Sequence, residues 1–600
     1  MPPSSAAPVT PTHLLPWQYA SRVLAFVCAA ELLFTSILYG PIFFPLNHFG
    51  IVDYDQFLAW QLAVNEALRS AQLLHWAHHF CGGVPGLADP QSGALSPFNL
   101  IGLFANPVVQ SKISVALHVC ASAVGFHWLT RRAGWPAYVA IPAFVIWIGN
   151  GFVLFRLLHG QETFYPLFYL PLMLALLWPY LTENSDGREL RRDLLAGAAL
   201  FSLVILEDGF QVLIYAGIYF GLAGLITFII RRDFTVLGVL AAWTMWAICL
   251  CAIRLMPMAD LLSEYPRITA EQDFLTLGML IDAFVNTRQL DLYVGFEPVP
   301  PHNVWAAYGA FVGWGPLLLF AGGVGCAWSS RSKVLLPILT ATCGCFLLML
   351  GYFADWSPWA LLHRLPLIDM VRAPHRFSGM VIFSMAIFSM VAVAEMVRRI
   401  NGSAVRGALI AFIVAGVCAS GQFFALQPLL DAGFNDYQPA HGKITQYLPF
   451  THQIIDSSRM YSSVAANVGV YNCYRALDLP NRVTPDLPLA LPVGSGASVS
   501  STIGPNTIAL QVENATAEII LINENFHRHW TVVAGRAEGL TRTPDGLMAL
   551  MVPPGKGRIL LRFVPRVFIV GAMVSLVALL VSLLLLSRWR NPAALPRAGG

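Results

Sequence analysis

The sequence predicts an α-helical polytopic membrane protein of about twelve spans with a C-terminal extracytoplasmic β-sandwich-like domain. Three observations carry this expectation. The 600-residue chain is 56% hydrophobic and only 12% charged, with a mean hydropathy of +0.62, whereas soluble proteins carry about 25% charged residues. Apolar runs near the length needed to cross a bilayer recur along it. Short alternating runs broken by Gly, Pro and Asn gather in residues 426–566. A core cannot absorb this much apolar surface, so most of the chain belongs in lipid. The net charge of +3 is too balanced for an electrostatic nucleic-acid binder, so no nucleic-acid partner is expected. The ten cysteines lack metal-ligand spacing. Cys28, Cys120, Cys249, Cys251, Cys343 and Cys418 lie inside apolar runs and read as small hydrophobes.

The apolar runs fall at 21–43, 109–129, 137–157, 164–182, 194–206, 210–230, 234–256, 306–327, 334–353, 377–397, 406–425 and 567–587. Basic clusters at Arg131-Arg132, Arg188/Arg191/Arg192, Arg231-Arg232, Arg331/Lys333, Arg398-Arg399/Arg406 and Arg588/Arg590 occupy every second loop and the C-terminus. Cytoplasmic loops retain Lys and Arg, so this alternation predicts both termini inside. The first sixteen residues have no basic region ahead of a long apolar stretch, which reads as an uncleaved first span. Three parts result: a multi-span module over 1–425, with outer loops 44–108 and 257–305; an outward β-rich domain over 426–566; and a final span with a basic cytoplasmic tail over 567–600. Runs such as Thr507–Val512, Glu518–Asn523 and Arg558–Phe563 are what make the domain β-rich.

Polar residues at outward positions are the candidates for chemistry. Val52-Asp53-Tyr54-Asp55-Gln56 opens a segment with Phe57, Trp60, Val64 and Leu68 on one helical face, which predicts a helix along the membrane surface. Asp53 three residues before Gln56 reads as a capping-box-like start, with Asp55 in the first turn. Equally, either carboxylate suits a general base, a ligand for substrate hydroxyls or a metal ligand at the lipid–water boundary. The segment from His75 to Ser92 holds His75, His78, His79 and Cys81, but adjacent histidines point apart and no second Cys/His pair accompanies them, so no zinc site is expected. Asp89 is expected to cap a turn.

Arg372-Ala373-Pro374-His375-Arg376 lies at the outer start of a span. Pro374 suits a first helical turn, and Arg372 and Arg376 four residues apart would make an anion site there, with His375 beside them. The other reading is that both arginines anchor the chain at the interface. His159, Gln161, Glu162, Glu207 and Asp208 share the outer side and are candidate sugar or acceptor contacts, or merely solvated turns. Glu31 lies inside the first span, where an ionisable group needs a partner or a cavity. Thr269-Ala270-Glu271-Gln272 reads as the start of a second interfacial helix carrying Phe274, Leu277, Leu280, Ile281 and Phe284. Asn514-Ala515-Thr516 reads as an incidental sequon.

Several of these motifs together resemble one family. Phe80–Ser92 followed by Ser96–Ile101 is similar to the first outer loop of YfhO-type bacterial membrane proteins, with its Gly-Gly-x-Pro, Asn-Pro-Gln-Ser and Pro-x-Asn-Leu elements. His159–Glu162, Leu365–Leu367 with Arg372–Phe377, Asn525–Trp530 and Val552–Gly555 resemble later elements in order. Two departures stand out: Asp89 replaces the usual Asn, and Phe526–Trp530 replaces an aromatic-Pro-Gly-Trp pattern. The resemblance implies a glycosyltransferase of the GT-C architecture. It implies a polyprenyl-phosphate-linked sugar donor, transfer on the outer face of the bacterial plasma membrane, and an acidic residue early in the first outer loop as catalytic base. Asp53 and Asp55 match, with Asp53 favoured by its position shortly before a Gln.

The expectation is therefore an inverting enzyme that acts on an envelope glycan or lipid acceptor amid membrane lipids. No cofactor or metal is required, although a divalent cation is compatible. The rival readings are a transporter or flippase of a lipid-linked glycan and a non-catalytic envelope-glycan assembly protein. The β-domain is expected to bind acceptor or partner, because His527 and His529 have no acidic neighbour in sequence except Glu524.

Overall fold

The computed structural model describes residues 17–182, 187–267, 269, 273–289, 305–329, 334–400, 402–434, 436–437, 441–445, 449–474, 477 and 479–590. Each of the twelve apolar runs falls largely on helix. Among the described residues, six helices are long and apolar enough to cross a membrane: Pro107–Ala133, Glu162–Thr182, Phe210–Arg231, Pro374–Arg399, Ala404–Gly433 and Arg566–Ser587. Two bent pairs, Ala137–Gly149 with Gly151–Leu158 and Thr235–Leu250 with Ala252–Glu264, raise the number to eight. This is the build of a multi-pass membrane protein. The remaining runs form Trp17–Leu38, Gly187–Leu206, Trp314–Ser329 and Leu335–Met349. Arg331, Lys333, the first sixteen residues and the tail from 591 lie outside the described residues.

Local chemistry sets the helix ends. Asn106 accepts a hydrogen bond from the Val109 N–H, Pro107 fills the first turn, and Gly134 closes the helix in the left-handed conformation at φ 68°. The 48° bend at Asn150 is built from a single buried side chain. Its Oδ1 accepts from the Val153 N–H at 2.9 Å, while Nδ2 donates to the carbonyls of Ile146 and Trp147 at 3.2 and 2.5 Å. Backbone groups opened by a break inside an apolar interior are thereby satisfied. The bend directs Gly151–Leu158, and with it Arg156, toward the first loop. The second bend, of 82°, turns Ala252–Glu264 so that Arg254 reaches Asp208 and the first-loop Asp89 carbonyl while Asp260 meets Arg528 and His529 of the sandwich.

The first loop forms the expected helix, Asp53–Arg69, but not with the expected start. Val52, at φ 58°, is the residue before it and makes no side-chain cap, and Asp53 is already helical, so the capping-box reading fails. The helix is also buried on nearly every side rather than lying along an open surface. It packs against the turn Pro97–Leu103 and the short helix Met460–Ala465. In the second loop the helix is Leu277–Val285, capped by Thr276 accepting from the Met279 N–H at 3.2 Å. Ala270–Gln272 of the expected start lie outside the described residues.

The β-domain is a sandwich of eight strands: Ala490–Pro492 (β1), Ala497–Gly504 (β2), Thr507–Asn514 (β3), Glu518–Asn525 (β4), Trp530–Ala534 (β5), Glu538–Arg542 (β6), Leu547–Val552 (β7) and Gly555–Phe563 (β8). One antiparallel sheet has the order β6-β7-β4-β1 and the other β2-β3-β8-β5. Alternate residues Ile508, Leu510 and Val512 point into the core, as the period of two requires. Trp76 of the first loop joins that core, its ring 4.9 Å from Phe563 and 5.5 Å from Trp530. The helix Ala404–Gly433 continues past residue 425, and the sandwich itself begins only at Ala490. Between them lies Cys473, disulfide-bonded to Cys81 of the first loop. The spacing of the cysteines does not reveal this pairing.

Candidate functional site

Asp53 stands half-buried at the head of the first-loop helix. Gln161 Nε2 donates to its Oδ2 at 2.8 Å, and Gln161 Oε1 accepts from Arg156 Nη1 at 2.5 Å. Arg156 is 2% exposed, with its guanidinium over the rings of Phe152 and Phe164 at 5.3 and 5.4 Å. A cation inside an apolar helix needs partners of this kind. Burial raises the Asp53 pKa above its ordinary value, opposed by the Gln161 hydrogen bond and the charges of Arg156, Arg376 and Arg372. One carboxylate thus faces three arginines drawn from two distant stretches of chain.

Arg376 belongs to the turn Pro374–Phe377, which runs directly into the helix Ser378–Arg399. Pro374 occupies the first turn, as expected. Arg376 donates to Gln211 Oε1 at 2.8 Å and lies 5.2 Å from the centre of the Phe164 ring. Arg372 is exposed. Arg267 joins the pair: burial lowers its pKa, and the charges of Arg372 and Arg376 lower it further. The two histidines lie behind this surface. His375 is 2% exposed against Tyr308, and His159 is 3% exposed and donates from Nδ1 to the Phe155 carbonyl at 2.7 Å. Burial, aided by the charge of Arg156, lowers the His159 pKa to about 4, so the ring is neutral at pH 7.

The remaining candidate carboxylates divide by what holds them. Asp55 is 5% exposed, and its two oxygens accept from the backbone N–H groups of Met460 and Tyr461 at 2.5 and 3.1 Å, at the start of the helix Met460–Ala465. Burial raises its pKa to about 7, with those two bonds opposing. Asp208 is engaged by Arg254 through Nε and Nη2 at 3.0 and 2.6 Å and by the Gly93 N–H at 2.6 Å. Arg254 also donates to the Asp89 carbonyl, and Asp89 Oδ1 caps the expected turn by accepting from the Gln91 N–H at 2.8 Å. Glu207 binds His118 Nε2 at 2.7 Å and the Tyr169 hydroxyl at 2.8 Å. Glu162 accepts from Gln61 at 2.5 Å.

Glu162, Glu207 and Asp208 nevertheless line one small pocket of about 30 Å³, completed by the amides of Gln61, Gln91, Asn99 and Gln110 against Phe57, Phe98 and Tyr165. Gln161, which holds Asp53, directly precedes Glu162 in that wall. The pocket's amides and carboxylates offer hydrogen-bond partners for hydroxyl groups.

The histidine-rich stretch serves the join to the sandwich. His78 Nδ1 lies 2.7 Å from Glu524 Oε1, Trp76 Nε1 donates to the same oxygen at 2.5 Å, and His79 turns instead to Asn467 at 3.1 Å. The acidic partner of His529 is Asp260 of the bent helix, at 3.2 Å, rather than Glu524. Asn514 of the sequon uses its amide on the carbonyls of Thr516, Val552 and Pro553. Arg156 and Arg254 were not among the sequence candidates. Each is an arginine inside an apolar run, which is itself a signal.

No known family pattern and no curated protein sequence matches the chain. Solved structures similar to it include ArnT from Cupriavidus metallidurans bound to undecaprenyl phosphate, at 13% identity and a TM-score of 0.46, covering 75% of this chain and 85% of that one. The oligosaccharyltransferase AglB from Archaeoglobus fulgidus, in complex with an inhibitory peptide and a dolichol-phosphate, is similar at 12% identity and a TM-score of 0.43, over 76% of this chain and 65% of that one. The mycobacterial arabinofuranosyltransferase AftD is similar at 12% identity and a TM-score of 0.46, over 92% of this chain and 40% of that one. Likeness at this level assigns neither family nor activity.

Proposed function

We propose that the protein is an inverting membrane glycosyltransferase that moves a sugar from a polyprenyl-phosphate-linked donor to an extracytoplasmic glycan or lipid acceptor. The observation that carries this reading is Asp53, held by Gln161 and faced by Arg156, Arg372 and Arg376, next to a pocket lined by amides and carboxylates. Asp53 accepts the proton of the acceptor hydroxyl as that oxygen attacks the anomeric carbon. The bond from that carbon to the phosphate oxygen breaks, and the leaving phosphate keeps the electron pair. Arg372 and Arg376, with Arg267 beside them, meet its charge. A phosphate leaves without protonation, so one base and a cationic site suffice.

The capture of Asp55 by Met460 and Tyr461 favours Asp53 as the base. Glu162, Glu207 and Asp208 hold sugar or acceptor hydroxyls at the pocket wall, with His159 and His375 behind. The Cys81–Cys473 disulfide supports an oxidising, outward setting for the first loop and the segment before the sandwich, and the membrane we propose for it is a bacterial plasma membrane.

The test compares envelope glycan composition in cells carrying wild type, Asp53→Asn or no gene copy, at matched membrane levels of protein. Asp53→Asn should reproduce the loss seen without the gene. Wild-type glycan composition in Asp53→Asn cells would sink the enzyme reading.

A further inference from the structure

A second cluster of chemically active side chains lies outside the Asp53 site, on the helices Trp17–Leu38 and Pro107–Ala133. Glu31, on the helix Trp17–Leu38, is 4% exposed although it lies in an apolar stretch. His127, on the helix Pro107–Ala133, meets it with Nε2 2.9 Å from Glu31 Oε2. Cys28 is one turn from Glu31 on the same helix and is exposed. One ligand atom from each of the three lies within 4.8 Å of the others. They line an apolar groove of about 630 Å³ between the two helices.

Two atoms here have no hydrogen-bond partner among the described residues, Glu31 Oε1 and His127 Nδ1. A buried carboxylate oxygen left open in apolar surroundings is costly. We propose that Cys28, Glu31 and His127 form a binding site for a divalent transition metal, zinc fitting best, at this groove.

The donor set fits borderline-soft metals. A thiolate, an imidazole and a carboxylate are zinc ligands, and three protein ligands with an open fourth position form a recurrent arrangement. Charge also balances. A dication bound by one thiolate, one carboxylate and a neutral imidazole is neutral overall, as an apolar groove requires. Binding exchanges the Glu31–His127 hydrogen bond for metal bonds, and the Cys28 thiol proton leaves with the water shed by the incoming hydrated metal ion. Three ligands from two helices would clamp the first helix to the helix that follows the first loop. The site is independent of glycosyl transfer, and its test does not use that activity.

The full chain, purified in detergent, is equilibrated with zinc, cleared of loosely held metal and analysed for metal content. Wild type should retain about one zinc per chain, and Cys28→Ser and His127→Gln should retain none. Cys28 is exposed, so its serine variant folds even if the histidine variant does not. Cobalt in place of zinc should give a sulfur-to-metal charge-transfer absorption in wild type that Cys28→Ser lacks. A wild type that retains no zinc, or a Cys28→Ser variant that retains as much as wild type, overturns the proposal.

Discussion

Replacing Gln161 by Glu probes the Asp53 arrangement without dismantling it. Gln161 serves two partners, donating to Asp53 and accepting from Arg156. Glutamate keeps the oxygen that the buried Arg156 needs and changes only the donor, which becomes a second carboxylate oxygen. The loss is one charge-assisted hydrogen bond, worth about 1.5–3 kcal/mol, or roughly 10- to 150-fold at 1.4 kcal/mol per tenfold. Gln161 is partly exposed, so solvent places the effect toward the lower end. The sign on pH follows from the same contacts. Burial already raises the Asp53 pKa, the Gln161 bond opposes that rise, and a neighbouring carboxylate adds to it. A base acts only when unprotonated, so the acid limb of kcat/KM should move to higher pH, with part of the rate recovered on the alkaline side. The assay is transfer from a polyprenyl-phosphate sugar across a pH series, with thermal unfolding confirming that the variant folds. A folded variant with the wild-type rate and profile would refute the role given to the Gln161–Asp53 contact.

Asp55 should show itself in stability rather than turnover. Its pKa of about 7 lies above the ordinary 3.8, so the fold binds more protons than the unfolded chain between those values. Its contribution is fully present below about pH 4 and is lost as pH rises through 7, a swing of about 4 kcal/mol. Asp55→Asn should therefore flatten the melting temperature between pH 4 and 7 while transfer continues, and an unchanged slope would contradict the assignment. At the cationic rim, Arg372→Ala and Arg376→Ala should each weaken donor use by roughly 10- to 150-fold. Lysine should restore only part, because it keeps the charge but loses the planar fork. Equal turnover of wild type, Ala and Lys variants at limiting donor, per folded molecule, would remove the phosphate role from both.

Patterns within one stretch of chain were legible in the sequence. The apolar periodicity of Phe57, Trp60 and Val64 places a helix where Asp53–Arg69 lies, the alternating runs mark the strands from Thr507 to Phe563, and Asp89 caps its turn. Contacts between distant stretches were not. Nothing near Asp55 says that its carboxylate will be taken by amides at 460 and 461, and nothing near Glu31 names His127. The same distance hides the fate of Asp208, whose partner Arg254 arrives only because its helix bends by 82° at Cys251. The amphipathic face of the first-loop helix suggested a membrane surface, yet protein covers that helix, because hydrophobic periodicity does not distinguish lipid from a packed neighbour.

The pairing of Cys81 with Cys473 sets an order of events during synthesis. The two thiols are 392 residues apart, so Cys81 waits while nearly all the intervening helices are made. The amides that secure Asp55 and the strands that seat Trp76 emerge in the same late stretch. A message truncated after Gly433 would still encode Asp53, Gln161, Arg156, Arg372 and Arg376, yet the helix bearing Asp53 would lack its covalent tie and its cover. Such a product would carry the proposed catalytic residues into the membrane without the support that aligns them. Assembly of this candidate site is thus a late checkpoint on an intact C-terminal region, and a premature stop far from any active residue should be as silencing as the loss of Asp53 itself.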